Sequence, residues 1–566
     1  MPPQREHGLS AESNSSVTPA PLASTRWGAF GHAAFTAIWI GSIVSNIGIA
    51  MYDAGSRWLM TSLNADPMAV SLVQVAVSLP IFLFTLPAGA LADVINPRRL
   101  LIVVEVANTI MTAILAALVS WGLVSSGSLL LITFLLGIGG ALAAPAWMAI
   151  TPLLVARAEL EGAIAANNVG FNITRAVGPA LGGFVIAGFG VAAPFWVCAA
   201  SNMGAIAALF WWRAPHKSVE SLPAERFISA IRTGVRHAAN NRHLRATLIR
   251  TLAFFPFASA YWALLPLVAR SQMTQGPQLY GILVGAIGAG AIGGSFVLGW
   301  LRAKLGPDRL VAVGTLATAF ALVLFGLARD PATVFLACLI AGAAWTVILT
   351  TLYVSAQIAL PDWVRGRGLA ILLTAIFGAM TVGSILWGQI AGMWGLPIAH
   401  LVAAAGAALV IPLTWRWKLQ TAAGIDLSPS MHWHKPVAAH KVENDRGPVL
   451  VTVEYRIDFK DRAAFVVALD ELAHERKRDG AFAWGLLEDT VDRGRFLETF
   501  LIESWLELMH QHERVTNADR MFEEQILRLL ANSPQISHLL ARERTHRFRS
   551  RRGNKPAAAS PATPSP

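Results

Sequence analysis

Leu86-Pro-Ala-Gly-Ala-Leu-Ala-Asp93-Val-Ile-Asn-Pro-Arg98 closes the second long apolar segment of the chain and decides the reading of its fold. A run long enough to cross a bilayer ends in a small-residue turn, an aspartate and the arginine pair Arg98 and Arg99. A comparable turn returns at Gly299-Trp-Leu-Arg302-Ala-Lys304-Leu-Gly-Pro307-Asp-Arg309, offset by 210 positions, so that Gly89, Leu91, Pro97, Arg99 and Leu100 each have a counterpart. A second repeat pairs Val177-Gly-Pro-Ala-Leu-Gly-Gly183 with Val382-Gly-Ser-Ile-Leu-Trp-Gly388, offset by 205. Two matches at nearly one offset predict a membrane region built twice on one plan, an architecture in which one repeat rocks against its twin.

Composition agrees. Of 566 residues 54% are apolar and 14% charged, with mean hydropathy +0.52. Soluble domains carry about 25% charged residues. The apolar content ends near Lys418, and the rest reads as soluble protein. The net charge of +11 is spread over short loops between apolar runs, where basic residues set topology; no nucleic-acid partner is expected. Cys198 and Cys338 both fall in apolar runs, and neither a disulfide framework nor a metal site is predicted. The spacing GxxxxGK[ST] does not occur, so the expected energy source is an ion gradient, and no cofactor is expected.

Twelve spans of about 20 apolar residues are read at 33–60, 68–92, 100–122, 128–155, 163–188, 192–212, 248–270, 279–301, 309–328, 333–359, 367–393 and 397–417. Alternate loops carry the cations, from Arg98 and Arg99 through the basic 213–247 connection to Arg365 and Arg367; the opposite loops hold Arg270 and Arg329. That bias predicts both termini on the cytoplasmic face. The expected organisation is a disordered tail over 1–29, six-helix bundles over 30–212 and 248–418 flanking the loop 213–247, a linker over 419–447, a soluble domain over 448–545 and a disordered tail over 546–566.

Ionised groups inside a span cost about 2.5–3.5 kcal/mol each on insertion scales, so each is a candidate for function. In span one Ser42, Asn46, Asp53 and Arg57 share a helical face; Asp53 and Arg57 either neutralise each other at i,i+4 or serve a proton or substrate. In span five Asn168, Asn172 and Arg175 fall at i, i+4 and i+7. Arg175 lies ~21 Å from the basic-side end, near the bilayer middle, where it requires a carboxylate, a carbonyl or water. Glu105, five residues into span three, is expected to pair with a loop arginine or to carry a proton. Gly178-Pro179 is expected to kink span five, as a hinge with Gly182 and Gly183 or simply for packing.

With these residues in view, 30–418 resembles the major facilitator superfamily. Gly89 to Arg99 looks like its loop signature between spans two and three. Gly178-Pro179-Ala-Leu-Gly182-Gly183 looks like the core of the span-five signature of proton-coupled exporters, although Thr174 and Ala165 stand where upstream glycines would. Trp58-Leu-Met-Thr-Ser-Leu63, Val169-Gly-Phe-Asn-Ile173, Ala263-Leu-Leu-Pro-Leu-Val-Ala-Arg270 and Pro361-Asp-Trp-Val-Arg365 are similar to the transmembrane secretion effector branch, related to enterobactin exporters. The resemblance implies that Asp93, Arg98 and Arg99 form a gate in which Asp93 lies against the start of span eleven, with Ala303 in place of the acid in the second half. It also implies a bacterial inner-membrane location.

In the tail, Val451, Val453, Tyr455 and Ile457 alternate as in a half-buried strand. A helix over 461–478, strands over 481–488 and 495–503, a helix over 505–531 and a strand over 536–540 complete a βαββαβ order, which is ferredoxin-like. This region resembles the dimeric barrel of antibiotic-biosynthesis monooxygenases, implying a homodimer; His510 and His512 are placed on an exposed helix. The expectation is an exporter of small molecules driven by protons, embedded in the lipid bilayer and not an enzyme. An importer, or a membrane-anchored monooxygenase-like enzyme or sensor, is the alternative.

Overall fold

The computed structural model describes residues 28–156, 159–212, 235–421, 430, 442–443 and 446–541. The chain divides into two compact units, Met1–Ser428 and Pro429–Pro566. The fold class is the expected one: a polytopic helical membrane unit and a small α+β unit.

Spans one to six are Ala33–Leu63, Pro67–Val94, Pro97–Ser120, Ser126–Leu154, Leu160–Phe189 and Ala193–Trp211. Span seven is Arg242–Leu267, continued by a π-helical turn, Val268–Gln272. One helix, Pro277–Leu327, holds spans eight and nine; it bends at Gly306, whose φ of 68° suits glycine alone. Spans ten, eleven and twelve are Pro331–Ile358, Asp362–Trp394 and Leu396–Thr414. Among the described residues, ten helices are long and apolar enough to cross a membrane. The Gly306 bend divides one of them into two crossings and span five supplies another, giving twelve. Their starts are written in local chemistry. Pro67, Pro97 and Pro331 open spans two, three and ten, where a missing N–H costs nothing, and Asp66, Asn96 and Asp330 cap the free donors. Ser125 and Ser128 cap span four reciprocally.

The repeated segments occupy equivalent places. In span five a Cβ at Gly178 would lie 2.5 Å from Ala50 Cβ of span one; in span eleven one at Gly383 would press on Pro256 of span seven, its Cα 2.8 Å away. At the other end of the motif a Cβ at Gly183 would lie 2.8 Å from Gly281 Cα of span eight, and one at Gly388 would strike Ser71 of span two. The first glycine of each copy therefore seats its helix within its own half. The last lets it touch the opposite half.

The second unit has a four-stranded antiparallel sheet: β1 (Val449–Arg456), β2 (Phe482–Glu488), β3 (Arg495–Ile502) and β4 (Gln535–Leu540), in the order β2-β3-β1-β4. With a helix between β1 and β2 and helices between β3 and β4, this is the strand order of the ferredoxin-like pattern. Val449, Val451, Val453, Tyr455, Phe496, Phe500 and Ile502 form one core with Phe465, Leu469 and Leu472 of the helix Arg462–Arg478. The expected helix over 505–531 is instead two, Trp505–Arg514 and Asn517–Leu527. Val515 is extended (φ −61°, ψ 129°) and buried, and its carbonyl accepts from Ser430 N at 2.9 Å, so its side chain and backbone are held by packing outside the helix. His510 and His512 are not on an exposed face. His512 is 9% exposed and donates to Leu508 O at 2.8 Å; burial holds it and His538 below the usual imidazole range.

Glu498, fully buried on β3, accepts from Tyr455 Oη and Trp484 Nε1, both at 2.8 Å, and Arg476 Nε stands 3.7 Å away. Arg476 also faces Glu523 at 3.4 Å. Removing one partner of a buried ion pair costs roughly 3–5 kcal/mol. Glu498→Ala should cost about 3 kcal/mol, since Glu523 remains. Amide exchange in β1 and β3 of the full chain should accelerate accordingly; unchanged protection would contradict a structural role for the network.

Candidate functional site: the contact between the two halves

Spans one, two, five, seven, eight and eleven meet on the face opposite the basic loops. Arg57 extends one nitrogen to the carbonyl of Trp262 on span seven, at 3.0 Å. One residue on, Trp58 stacks on Tyr280 of span eight with ring centroids 6.0 Å apart. Arg270, at the end of span seven, donates to Thr61 Oγ1 (3.1 Å) and Ser62 Oγ (2.7 Å), with its guanidinium 5.8 Å from the Trp58 ring. Ser78 of span two and Thr381 of span eleven share a buried hydrogen bond of 2.8 Å. Each hydrogen bond from a charged donor is worth about 1.5–3 kcal/mol net.

In the span-one stripe the Arg57 guanidinium donates across to the other half, and among the described residues it makes no salt bridge with Asp53, although its charge acts on that carboxyl. Asp53 sits half-buried one turn away, its backbone carbonyl accepting from Ser56 Oγ at 3.1 Å. Asn46 is half-buried, with its amide donating to Ser42 O at 2.8 Å. Glu105 is 6% exposed, far more buried than an interfacial carboxylate, and its hydrogen-bond partner is the Trp147 side chain instead of a loop arginine. The backbone places Asn168, Asn172 and Arg175 on span five and Asp93 near the end of span two. Their side chains lie outside the described ones.

On the basic face the described ties stay within a half. Arg98 donates to Leu209 O (2.8 Å) and Phe210 O (3.1 Å), capping the end of span six. In this structure it serves the last carbonyls of a helix, as cations near C-termini do. Asn96 Oδ1 accepts from the backbone of Arg98 and Arg99, and the Arg99 side chain is exposed. In the second half the same junction, span nine against the end of span twelve, is closed by other chemistry. Arg250, 3% exposed, pairs with Asp308 at 2.8 Å and donates to Trp417 O at 2.9 Å, while Asp308 accepts from Leu419 N at 3.1 Å. Asn241 joins span seven to Ala359 O at 2.8 Å.

Sequence reasoning missed Arg250, Arg270, Trp262 and Tyr280. Arg270 had one available signal, as one of two cations in the loops of that face.

The sequence pattern of the transmembrane secretion effector family matches residues 24–546. The chain belongs to that family. This transporter is 26% identical over 380 residues to the multidrug efflux pump Tap of Mycolicibacterium fortuitum, covering 64% of this chain and 90% of that one. It is 25% identical over 390 residues to the enterobactin exporter EntS of Salmonella typhimurium, covering 67% and 90%. Among solved structures it resembles a bacterial homologue of the human lysosomal transporter Spinster, with TM-score 0.51 and 17% identity over 68% of this chain and 94% of that one. It also resembles a POT family transporter, with TM-score 0.55 and 11% identity over 69% and 96%. These likenesses establish the major facilitator fold of a multi-pass membrane protein; the transporter is not an enzyme.

Contacts between the halves on the far face can be read by thiol labelling. Ser71 is fully buried beneath Gly388, so Ser71→Cys should react slowly with a maleimide in the purified transporter. Adding Arg270→Gln removes both of the Arg270 hydrogen bonds across the halves, and labelling should quicken at least tenfold, since even one such bond of about 1.5 kcal/mol corresponds to a factor of ten. An unchanged rate would show that Arg270 does not hold the halves together.

Proposed function

We propose that the transporter is a proton-coupled exporter of drug- or siderophore-like molecules, working by alternating access, with the structure representing a state closed on the far face. The observation that carries this reading is the set of ties that bind half to half on the far face: Arg57–Trp262, Arg270–Ser62 and Trp58–Tyr280. A carrier closed on one side by such contacts exchanges them for contacts on the other during a cycle. The loop cations favour the basic face as cytoplasmic, with both termini there, in a bacterial inner membrane. Relatives named for multidrug efflux and for enterobactin and staphyloferrin A transport support the substrate class.

Asp53 and Glu105 are the candidate proton carriers, being carboxylates within spans that form no salt bridge among the described residues. Asn46, Asn168, Asn172 and Arg175 are the candidate substrate contacts. Everted vesicles bearing the transporter should accumulate a drug or catecholate substrate when energised, and an uncoupler should abolish accumulation. Asp53→Asn should lower energised uptake at least tenfold while leaving substrate binding in place; full uptake in both Asp53→Asn and Glu105→Gln would remove protons from the mechanism.

For the second unit, pairing with another copy is the favoured reading. Its sheet buries one face under the helix Arg462–Arg478, and on the other Leu450 stands in register between Leu501 and Leu539, with Phe482 beside Leu501. Leu539 is 54% exposed and Phe482 41%. A row of apolar side chains left in water favours a partner surface, and a second sheet of the same kind is self-complementary. Leu450→Glu with Leu539→Glu should convert cross-linked dimers to monomers without altering expression. Dimers persisting in that variant would place the interface elsewhere.

A further inference from the structure

We propose that the basic-side ends of spans eight, nine and twelve form a binding site for a glycerophospholipid with a net negative headgroup. Two sequence-distant segments converge there. Leu419 N donates to Asp308 Oδ1 at 3.1 Å, so Arg309 and Lys418, the adjacent residues, flank a direct contact between the start of span nine and the end of span twelve. Arg302, Lys304 and Arg416 add cations along the same two stretches, 299–312 and 412–420, in which Asp308 is the single acidic residue. Its carboxylate is already engaged by Arg250 at 2.8 Å and by Leu419 N. The cluster's surplus positive charge is therefore left for an anion outside the protein.

The surroundings specify what sort of anion. Lys304 lies over Trp300 (4.1 Å), Lys418 over Trp415 (4.2 Å) and Arg416 over Trp417 (3.9 Å). Trp300 and Trp415 are 58% and 41% exposed. Indoles anchor at the headgroup level of a bilayer, and stacking on them holds the cations at that depth. Beside them a shallow slot opens between spans seven, nine and twelve, lined by Arg250 and Phe254 of span seven, by Val311 and Thr315 of span nine and by Val410 and Thr414 of span twelve. Leu409 and Leu413 beside it are each 60% exposed, as lipid-facing residues are. A cationic rim beside lipid-facing leucines fits a molecule with an anionic head and an acyl chain. Basic pockets between membrane helices bind lipid headgroups by this combination. A free phosphate would use the rim alone.

The site is tested by retention of lipid on the purified full-length transporter, measured by native mass spectrometry after exchange with phosphatidylglycerol, phosphatidylcholine or inorganic phosphate. The expected result is phosphatidylglycerol retained at least tenfold over phosphatidylcholine. Retention should be lost in the triple variant Arg309→Gln, Arg416→Gln, Lys418→Gln and kept in Arg329→Gln on the opposite face. Thr414→Trp, which fills the slot without changing charge, should also lose the lipid, and it serves as the test if the triple variant does not fold. Equal retention of both lipids, retention unchanged in the triple variant or in Thr414→Trp, or displacement of the lipid by phosphate would each overturn the proposal.

Discussion

Helices in lipid associate through close packing, because no hydrophobic force favours helix–helix over helix–lipid contact. Two halves that stay together while moving therefore depend on small residues that let backbones approach. In this transporter that constraint is met by the paired glycines of one repeated motif. Gly178 and Gly383 let spans five and eleven lie against spans one and seven; Gly183 and Gly388 let the same two helices lie against spans eight and two. Each motif thus has one end fixed in its own half and one end on the sliding surface. Any side chain at Gly183 would meet Gly281 backbone, which cannot yield as a flexible side chain can. The halves touch through backbone, and that leaves specificity of closure to the polar groups around them.

Those polar groups follow a second rule, set by the cost of charge in hydrocarbon. Arg57, Arg98 and Arg250 each direct donors at backbone carbonyls, those of Trp262, Leu209 and Trp417. A guanidinium aimed at a carbonyl keeps its charge while satisfying an acceptor that the end or bend of a helix leaves short of donors. Arg98 and Arg250 hold their halves rigid at the basic face. Arg57 reaches across, and so belongs to the part of the structure that changes partners. The same residue type serves as brace or as latch according to whether its carbonyl lies in its own half.

Much of the fold was legible because it is written in period and repetition. Span number, the division into two halves and the α+β order of the tail follow from apolar run lengths, the 205- and 210-residue offsets and the alternation from Val451 to Ile457. The misses share a cause. Helix 505–531 was read as continuous because its composition is helical throughout; what divides it is the burial of Val515 and a hydrogen bond from Ser430, neither visible locally. Glu105 was placed at an interface from its distance to the helix end, yet it is buried, and the nearest polar partner assigned to it is Trp147 on a neighbouring span. Of the site, the span-one stripe could be found from spacing alone. Its partner on span seven could not, since Trp262 contributes a carbonyl, and a backbone acceptor leaves no mark in the sequence.

The two basic-face junctions show where the repeat ends and divergence begins. Both close the start of a third helix against the end of a sixth, yet one uses a single arginine on carbonyls and the other an arginine–aspartate pair that also holds the chain beyond span twelve. A charge pair buried on one side resists separation more strongly than a cation on dipoles, because parting it strands a charge in low dielectric. Asp53 and Glu105 both lie in the first half. Under the proposed proton coupling, the half whose junction is held by one cation on dipoles is the one that a change of protonation would move.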